Sequence, residues 1–145
     1  MVRILVKKFD KSIVLPTYKT SKSSGMDLAA YIKNKININP GMTTIIPTGI
    51  AIAIPKNYEI QIRPRSGLAA KNGISVLNTP GTIDADYRGE IKIILINLSK
   101  KLFVVRPGDR IAQMVLCPIV KGKFKEVKKL PRTIRGKGGF GSTGK

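Results

Sequence analysis

The sequence predicts an all-β sandwich or barrel with one short helix and a glycine-rich C-terminal tail. Three observations carry this. Short runs rich in Ile and Val recur along the 145 residues, and β-branched side chains suit a pleated surface. Turn signals separate the runs: Asn39-Pro40-Gly41, Pro47-Thr48-Gly49 and Pro107-Gly108. Only one stretch has a helical composition. Regular short strands divided by turns indicate a sandwich or a barrel.

In chain order the strand-like runs are Ile4–Val6, Thr43–Ile46, Gly49–Ile54, Tyr58–Ile62, Ile91–Asn97, Phe103–Val105 and Ile111–Val120. Each either alternates apolar and polar residues or is continuously apolar. Ser66–Lys71 reads as one or two helical turns, with Ser66 as the cap. Neither a repeat nor a second domain is visible. Residues 1–134 read as one β domain and residues 135–145 as a tail. Nothing is long and apolar enough to span a membrane, and Met1–Lys8 lacks the apolar stretch of a signal peptide. The single cysteine, Cys117, is expected to be a buried, inert thiol, which rules out a disulfide framework. A cytoplasmic protein is the expectation.

The formal charge is +19, from 27 Lys and Arg against eight Asp and Glu, with no His. Such a surplus fits nucleic-acid binding. The lysines, however, are spread along the chain. Their densest cluster, Lys121–Lys129, contains a single aromatic residue, Phe124, so base stacking is poorly served. The acids are more telling. Five of the eight (Asp27, Asp84, Asp86, Glu90 and Asp109) lie in turn-like segments beside arginines.

Five segments carry candidate chemistry. Arg63-Pro64-Arg65-Ser66-Gly67-Leu68 follows a strand and opens the helix. Such a start attracts anions, although an ordinary capped helix explains it equally. Asn78–Glu90 resembles a hairpin between two strong strands. Asp84 and Asp86 face one side if it is extended. Paired carboxylates there can bind a cation, activate water or pair with Arg88, or be a solvated turn. Ser24–Leu28 and Arg106–Gln113 are turn-then-strand segments, each weak alone. The tail, Arg135–Lys145, holds five glycines, one aromatic, two hydroxyls and three cations. It could wrap an anion through backbone N–H groups, or be a solvated basic terminus. Its near match to a P-loop fails, because Lys145 ends the sequence where a Ser or Thr and a helix are required. With no histidine, a carboxylate is the natural base. Without a His/Cys cluster, a zinc hydrolase is excluded.

Taken together and in this order, the segments resemble the five motifs of the trimeric dUTPase family. The residues are Gly25-Met26-Asp27-Leu28, Arg65-Ser66-Gly67-Leu68, Ile83-Asp84-Ala85-Asp86-Tyr87-Arg88-Gly89, Pro107-Gly108-Asp109-Arg110-Ile111-Ala112-Gln113, and Arg135 through Gly144. One departure is Ser24, where many members have alanine. The resemblance implies a jelly-roll-like β-clip subunit, a homotrimer, and active sites shared between subunits. It implies hydrolysis of dUTP to dUMP and pyrophosphate with Mg²⁺ on the triphosphate, which limits uracil in DNA and supplies dUMP for thymidylate synthesis. Asp84 would activate the attacking water. Asn78 and the backbone of Gly81, Thr82 and Ile83 would read uracil. Tyr87 would lie under the deoxyribose. Arg65, Ser66, Gly67 and Gln113 would hold phosphate oxygens, and Asp27 would order Mg²⁺-bound water. In the tail, Phe140 would cover the uracil, and Arg135, Gly141, Ser142 and Thr143 would close on the γ-phosphate. Alternatives are a dCTP deaminase-like enzyme of the same fold and a basic nucleic-acid-binding β-domain. Membrane and sequence-specific nucleic-acid partners are not expected.

Overall fold

The structure, a computed structural model, describes residues 1–139. Strands β1 (Leu5–Lys8), β2 (Gly25–Ala29), β3 (Ile36–Ile38), β4 (Thr43–Pro47), β5 (Ile50–Ala53) and β6 (Tyr58–Arg63) precede helix α1 (Ser66–Asn72). Strands β7 (Ile74–Val76), β8 (Gly81–Ile83), β9 (Lys92–Asn97), β10 (Phe103–Val105) and β11 (Arg110–Pro118) follow. All ladders are antiparallel: β2-β11-β6-β8, β4-β9-β7, β1-β5 and β10-β3. Among the described residues no sheet closes on itself, so the architecture is a sandwich and not a barrel.

Alternation explains the layers. On β6, Ile60 and Ile62 point into the core while Glu59, Gln61 and Arg63 take the outer face. On β9, Ile93, Leu95 and Asn97 are buried and the intervening residues are not. β5 is buried on successive residues, Ile50 to Ile52, as a continuous apolar run requires. Isoleucine dominates the core, and its stiff χ1 loses little freedom in a strand.

The pairing of β11 with β2 shifts register at one place. Arg110 pairs with Ala29 and Ala112 with the adjacent Leu28, so Ile111 is an extra residue, a β-bulge. Ile111 and Ala112 are both buried, whereas Arg110 is turned outward. The bulge puts Arg110 on the same outer face as Gln113.

Three expectations need correction. Ser66 does not cap α1. Arg65 is the N-cap, in extended conformation without a side-chain cap bond, and its carbonyl accepts from Leu68 N (3.1 Å) and Ala69 N (3.0 Å). Cys117 is half-buried, not buried, because it falls at the outward parity of β11; Arg63 Nη2 lies 3.8 Å from its Sγ. The last strand ends at Pro118 and does not reach Val120. From Ile119 to Gly139 the chain enters no strand or helix, and Val120, Phe124 and Ile134 are fully exposed. No helix among the described residues is long and apolar enough to cross a membrane.

Among the described residues Asn97 is the one fully buried side-chain amide, and its hydrogen-bonding capacity is filled. Its Nδ2 donates to Ile38 O and Lys101 O, both at 2.8 Å. Its Oδ1 accepts from Ser99 N (2.9 Å) and Ser99 Oγ (2.8 Å). It ties β3, β9 and the 98–101 turn together. Asn97→Leu, which keeps the volume, leaves those backbone groups unpaired in the core. The expected cost is about 2–3 kcal/mol, read as a Tm fall of roughly 5–10 °C in calorimetry. An unchanged Tm would remove this amide from the account of stability.

Candidate active site

Register assembles the first cluster. Gln113 on β11 stands opposite Asp27 on β2 and opposite Arg63 on β6. Arg65, two residues past β6, turns back over the sheet, and its Nε donates to Asp27 Oδ1 at 3.0 Å. Arg110, aimed outward by the bulge, donates from Nη1 to Asp27 Oδ2 at 3.0 Å. Arg65 Nη1 also reaches Arg110 O at 3.0 Å. Gln113 Nε2 is fixed on Pro64 O at 2.9 Å. Gly25 leaves room beside it: a Cβ there would sit 2.6 Å from Gln113 Oε1, and the amide would have to shift.

The Asp27 side chain is one-fifth exposed, Arg65 one-quarter and Arg110 about half. Solvent-screened pairs of this kind add little stability. Their effect is orientation: two guanidinium planes and one amide are fixed around a single carboxylate. Ser66 and Gly67, both exposed, lie beside this cluster on the first turn of α1. The first N–H groups of a helix have no partner within it. The cluster therefore offers cationic forks and backbone donors on one patch, which suits phosphate oxygens.

The second cluster lies on the connection between β7 and β9, which pair with each other. That connection is longer than a tight hairpin and contains β8, which joins the other sheet beside β6. Asn78 folds over Gly81, where a Cβ would lie 3.2 Å from its Nδ2. Asp84–Tyr87 is a turn, closed by Tyr87 N on Asp84 O at 3.1 Å. Asp84 and Asp86 are therefore not on one face of an extended strand. Arg88 pairs with neither: its Nη1 donates to Ala85 O (2.7 Å) and Tyr87 O (2.8 Å). Asp84 is exposed, and so is Thr82, while Ile83 is half-buried. Tyr87 OH donates to Glu90 O at 3.0 Å. The Glu90 carboxylate accepts from Gly49 N at 2.8 Å.

The two clusters do not meet within one chain. β2 and β8 are three strand spacings apart, and Asp84 lies four residues along from the Asp27 row. Strand geometry puts these carboxylates roughly 15–20 Å apart. Arg135 stands apart from both, with Nε on Gly138 O at 2.8 Å. Phe140, Gly141, Ser142 and Thr143 lie outside the described residues.

Arg110, the Pro64 carbonyl and the Glu90 carbonyl were not among the expected site residues. Only Arg110 had a sequence signal, in that Ile111-Ala112 breaks the alternation of its strand. As for a metal, no group of three or more His, Cys, Asp or Glu side chains is close enough to hold one among the described residues. Each Asp27 oxygen has one arginine partner, and a carboxylate oxygen can accept more than one bond. This donor set fits Mg²⁺ that keeps its waters and is held by substrate phosphates, with Asp27 bonding to those waters.

The chain matches known proteins over nearly its whole length. The family model for dUTPase matches residues 11–144. The deoxyuridine 5'-triphosphate nucleotidohydrolase of Rickettsia bellii is 58% identical over 99% of this chain and 97% of its own length. That of Hydrogenobaculum sp. is 54% identical over 99% of each. Among solved structures, a variant of the Staphylococcus bacteriophage 80alpha dUTPase with dUpNHpp has a TM-score of 0.87 at 25% identity, covering 98% of both chains. A dUTPase variant of S. aureus phage phi11, in which coordination of a structural Mg(II) ion was described, has a TM-score of 0.80 at 21% identity. It covers 90% of this chain and 99% of its own, and it supports the fold alone. The sandwich, the two residue clusters and these matches lead to one conclusion: the chain belongs to the dUTPase family.

Proposed function

We infer that this chain hydrolyses dUTP to dUMP and pyrophosphate at a site shared between three copies of itself. The observation that carries this reading is the meeting of Asp27, Arg65 and Gln113 at one place, from three segments far apart in sequence. Arg65, Ser66, Gly67 and Gln113 hold phosphate oxygens, and Asp27 orders water on the Mg²⁺ that arrives with the triphosphate. When bound, Mg²⁺ supplies charge neutralisation on the phosphates.

β8 is the edge strand of its sheet, so one row of its backbone groups faces away from β6. An unpaired strand edge is a template for hydrogen bonding. Gly81, Thr82 and Ile83, with the Asn78 amide, present that row to uracil, and Tyr87 lies under the deoxyribose. Asp84 takes a proton from the water that attacks the α-phosphorus. Phosphoryl transfer needs positioning and charge stabilisation more than covalent help. The tail, residues 135–145, closes last, with Phe140 on the base and Arg135, Gly141, Ser142 and Thr143 on the γ-phosphate.

Two observations support a trimer. Asp84 is too far from Asp27 within one chain to serve the same phosphorus. The arm from Ile119 to Gly139 also carries apolar side chains, Val120, Phe124 and Ile134, that none of the described residues covers. A lone free thiol, Cys117, fits a reducing compartment such as the cytoplasm.

Asp84→Asn keeps the shape but cannot accept a proton. kcat should fall about 10²–10⁴-fold while dUTP still binds. An effect confined to KM counts against Asp84 as the base. Arg110→Ala should lower kcat/KM for dUTP roughly tenfold, through loss of one of the two guanidinium contacts that orient Asp27. Arg110→Lys should restore only part, and Tm should barely move, since exposed ion pairs contribute little. A wild-type kcat/KM in Arg110→Ala would sink the claim.

Sharing of the site has its own assay. Asp84→Asn chains and chains lacking residues 135–145 should each be nearly inactive. Co-refolded in equal amounts, they should recover about a quarter of wild-type activity, the share of sites with both elements intact under random assembly of a closed ring. Activity no higher than the sum of the separate variants, with mixed trimers confirmed by mass, would show that one chain supplies both elements.

A further inference from the structure

We propose that Gly89 is a positioning residue for sugar selectivity, kept free of a side chain so that the tip of the Tyr87 ring can pack directly against it. The inference rests on the reading that Tyr87 meets the sugar.

The geometry is specific. A Cβ built on Gly89 would fall 2.5 Å from Tyr87 Cζ and 3.0 Å from Cε2, and it would also clash with the hydroxyl. Real Cβ atoms do not approach other atoms so closely. The usual reason for glycine is absent: Gly89 does not have the positive φ that favours glycine. What excludes a side chain is the ring of Tyr87.

The ring is held from below and at its tip. Its hydroxyl donates to Glu90 O at 3.0 Å. Glu90 is fixed in turn by Gly49 N on its carboxylate at 2.8 Å, and the next residue by Ile91 N on Ile50 O at 2.9 Å. Arg88 braces the loop from the other side through Ala85 O and Tyr87 O. Tyr87 nonetheless remains 44% exposed. The ring is thus anchored at its hydroxyl, packed by its tip and one edge against Gly89, and still accessible to a ligand. A rigid surface can exclude one extra hydroxyl, whereas a mobile ring can move aside for it. A methyl group at residue 89 would lift the ring and make the surface adjustable.

The test compares kcat/KM for dUTP and UTP in Gly89→Ala, Tyr87→Phe, Tyr87→Ala and the double variant Gly89→Ala/Tyr87→Ala, with trimer mass and thermal unfolding measured for each. Gly89→Ala should lower the dUTP:UTP ratio at least tenfold, mostly through a raised KM for dUTP. Tyr87→Phe, which keeps the ring but loses its anchor on Glu90, should lower the ratio a few-fold. In the Tyr87→Ala background, Gly89→Ala should change the ratio no further, because residues acting through one another are not additive. A purely structural role would lower both substrates alike and leave the ratio intact. If Tyr87→Ala lowers the ratio and Gly89→Ala does not, the inference fails and the reading of Tyr87 stands. If Tyr87→Ala leaves the ratio intact, that reading fails and the inference with it. Should Gly89→Ala not fold, Tyr87→Phe decides: an unchanged ratio overturns the proposal.

Discussion

Strand β11 is hydrogen-bonded along both edges, to β2 on one side and β6 on the other, and the position of each charged group in the first cluster follows from that double register. A one-residue slip on either edge would send Gln113, Asp27 or Arg63 to the opposite face, since strand side chains alternate with period two. The register is locked from the core side. Met114, Ala112, Leu28, Ile60 and Ile62 are buried on the inner face of these strands. Hydrophobic burial thus fixes the place of polar groups that contribute little stability themselves. The electrostatics of Asp27, Arg65 and Arg110 are local detail resting on a packed sheet.

The two clusters use opposite kinds of precision. Around Asp27, side chains hold side chains, and long flexible guanidinium groups are disciplined by a shared carboxylate. Around β8 and Tyr87, the backbone carries the work: an open strand edge, a turn closed by Tyr87 N on Asp84 O, and a carbonyl that anchors the tyrosine hydroxyl. Phosphates are charged and rotationally tolerant, so cationic forks suit them. A base edge and a sugar face are neutral and shape-specific, so fixed backbone geometry suits them better. Discrimination of that kind relies on buried polar groups being matched or left unpaired.

Much of this was legible in the sequence, for reasons that differ by element. β6, β9 and β11 were visible because six or more residues suffice to display a period. β3, β7 and β8 have three residues each, too few to show one; β10 is equally short but stands out as the unbroken apolar run Phe103-Val104-Val105. The helix was found within one residue, but its cap was misplaced, because a serine at a helix start competes with the residue before it for the capping position. Cys117 looked buried in an apolar run; parity along β11, counted from Gln113, puts it on the outer face. The expected residues Asp27, Arg65 and Gln113 do converge. Arg110 left one trace, the broken alternation at Ile111-Ala112, but which residue is looped out, and so where the arginine points, is defined only by the pairing partners. The separation of Asp84 from Asp27 was equally hidden, since sequence order carries no information on sheet order.

That bulge lets Arg110 and Gln113, an odd number of residues apart, share one face of the sheet. Exchanging one aliphatic residue for another near Ile111 changes packing by degrees. Pulling the ladder straight, so that Ile111 and not Arg110 stands opposite Ala29, would carry the arginine round to the interior, a guanidinium among isoleucines. Excising Ile111 would instead keep Arg110 opposite Ala29, with the loss of one buried side chain. The charge on the outer face therefore depends on which residue is looped out. A change that favours the straight ladder acts on the cluster without touching any charged group.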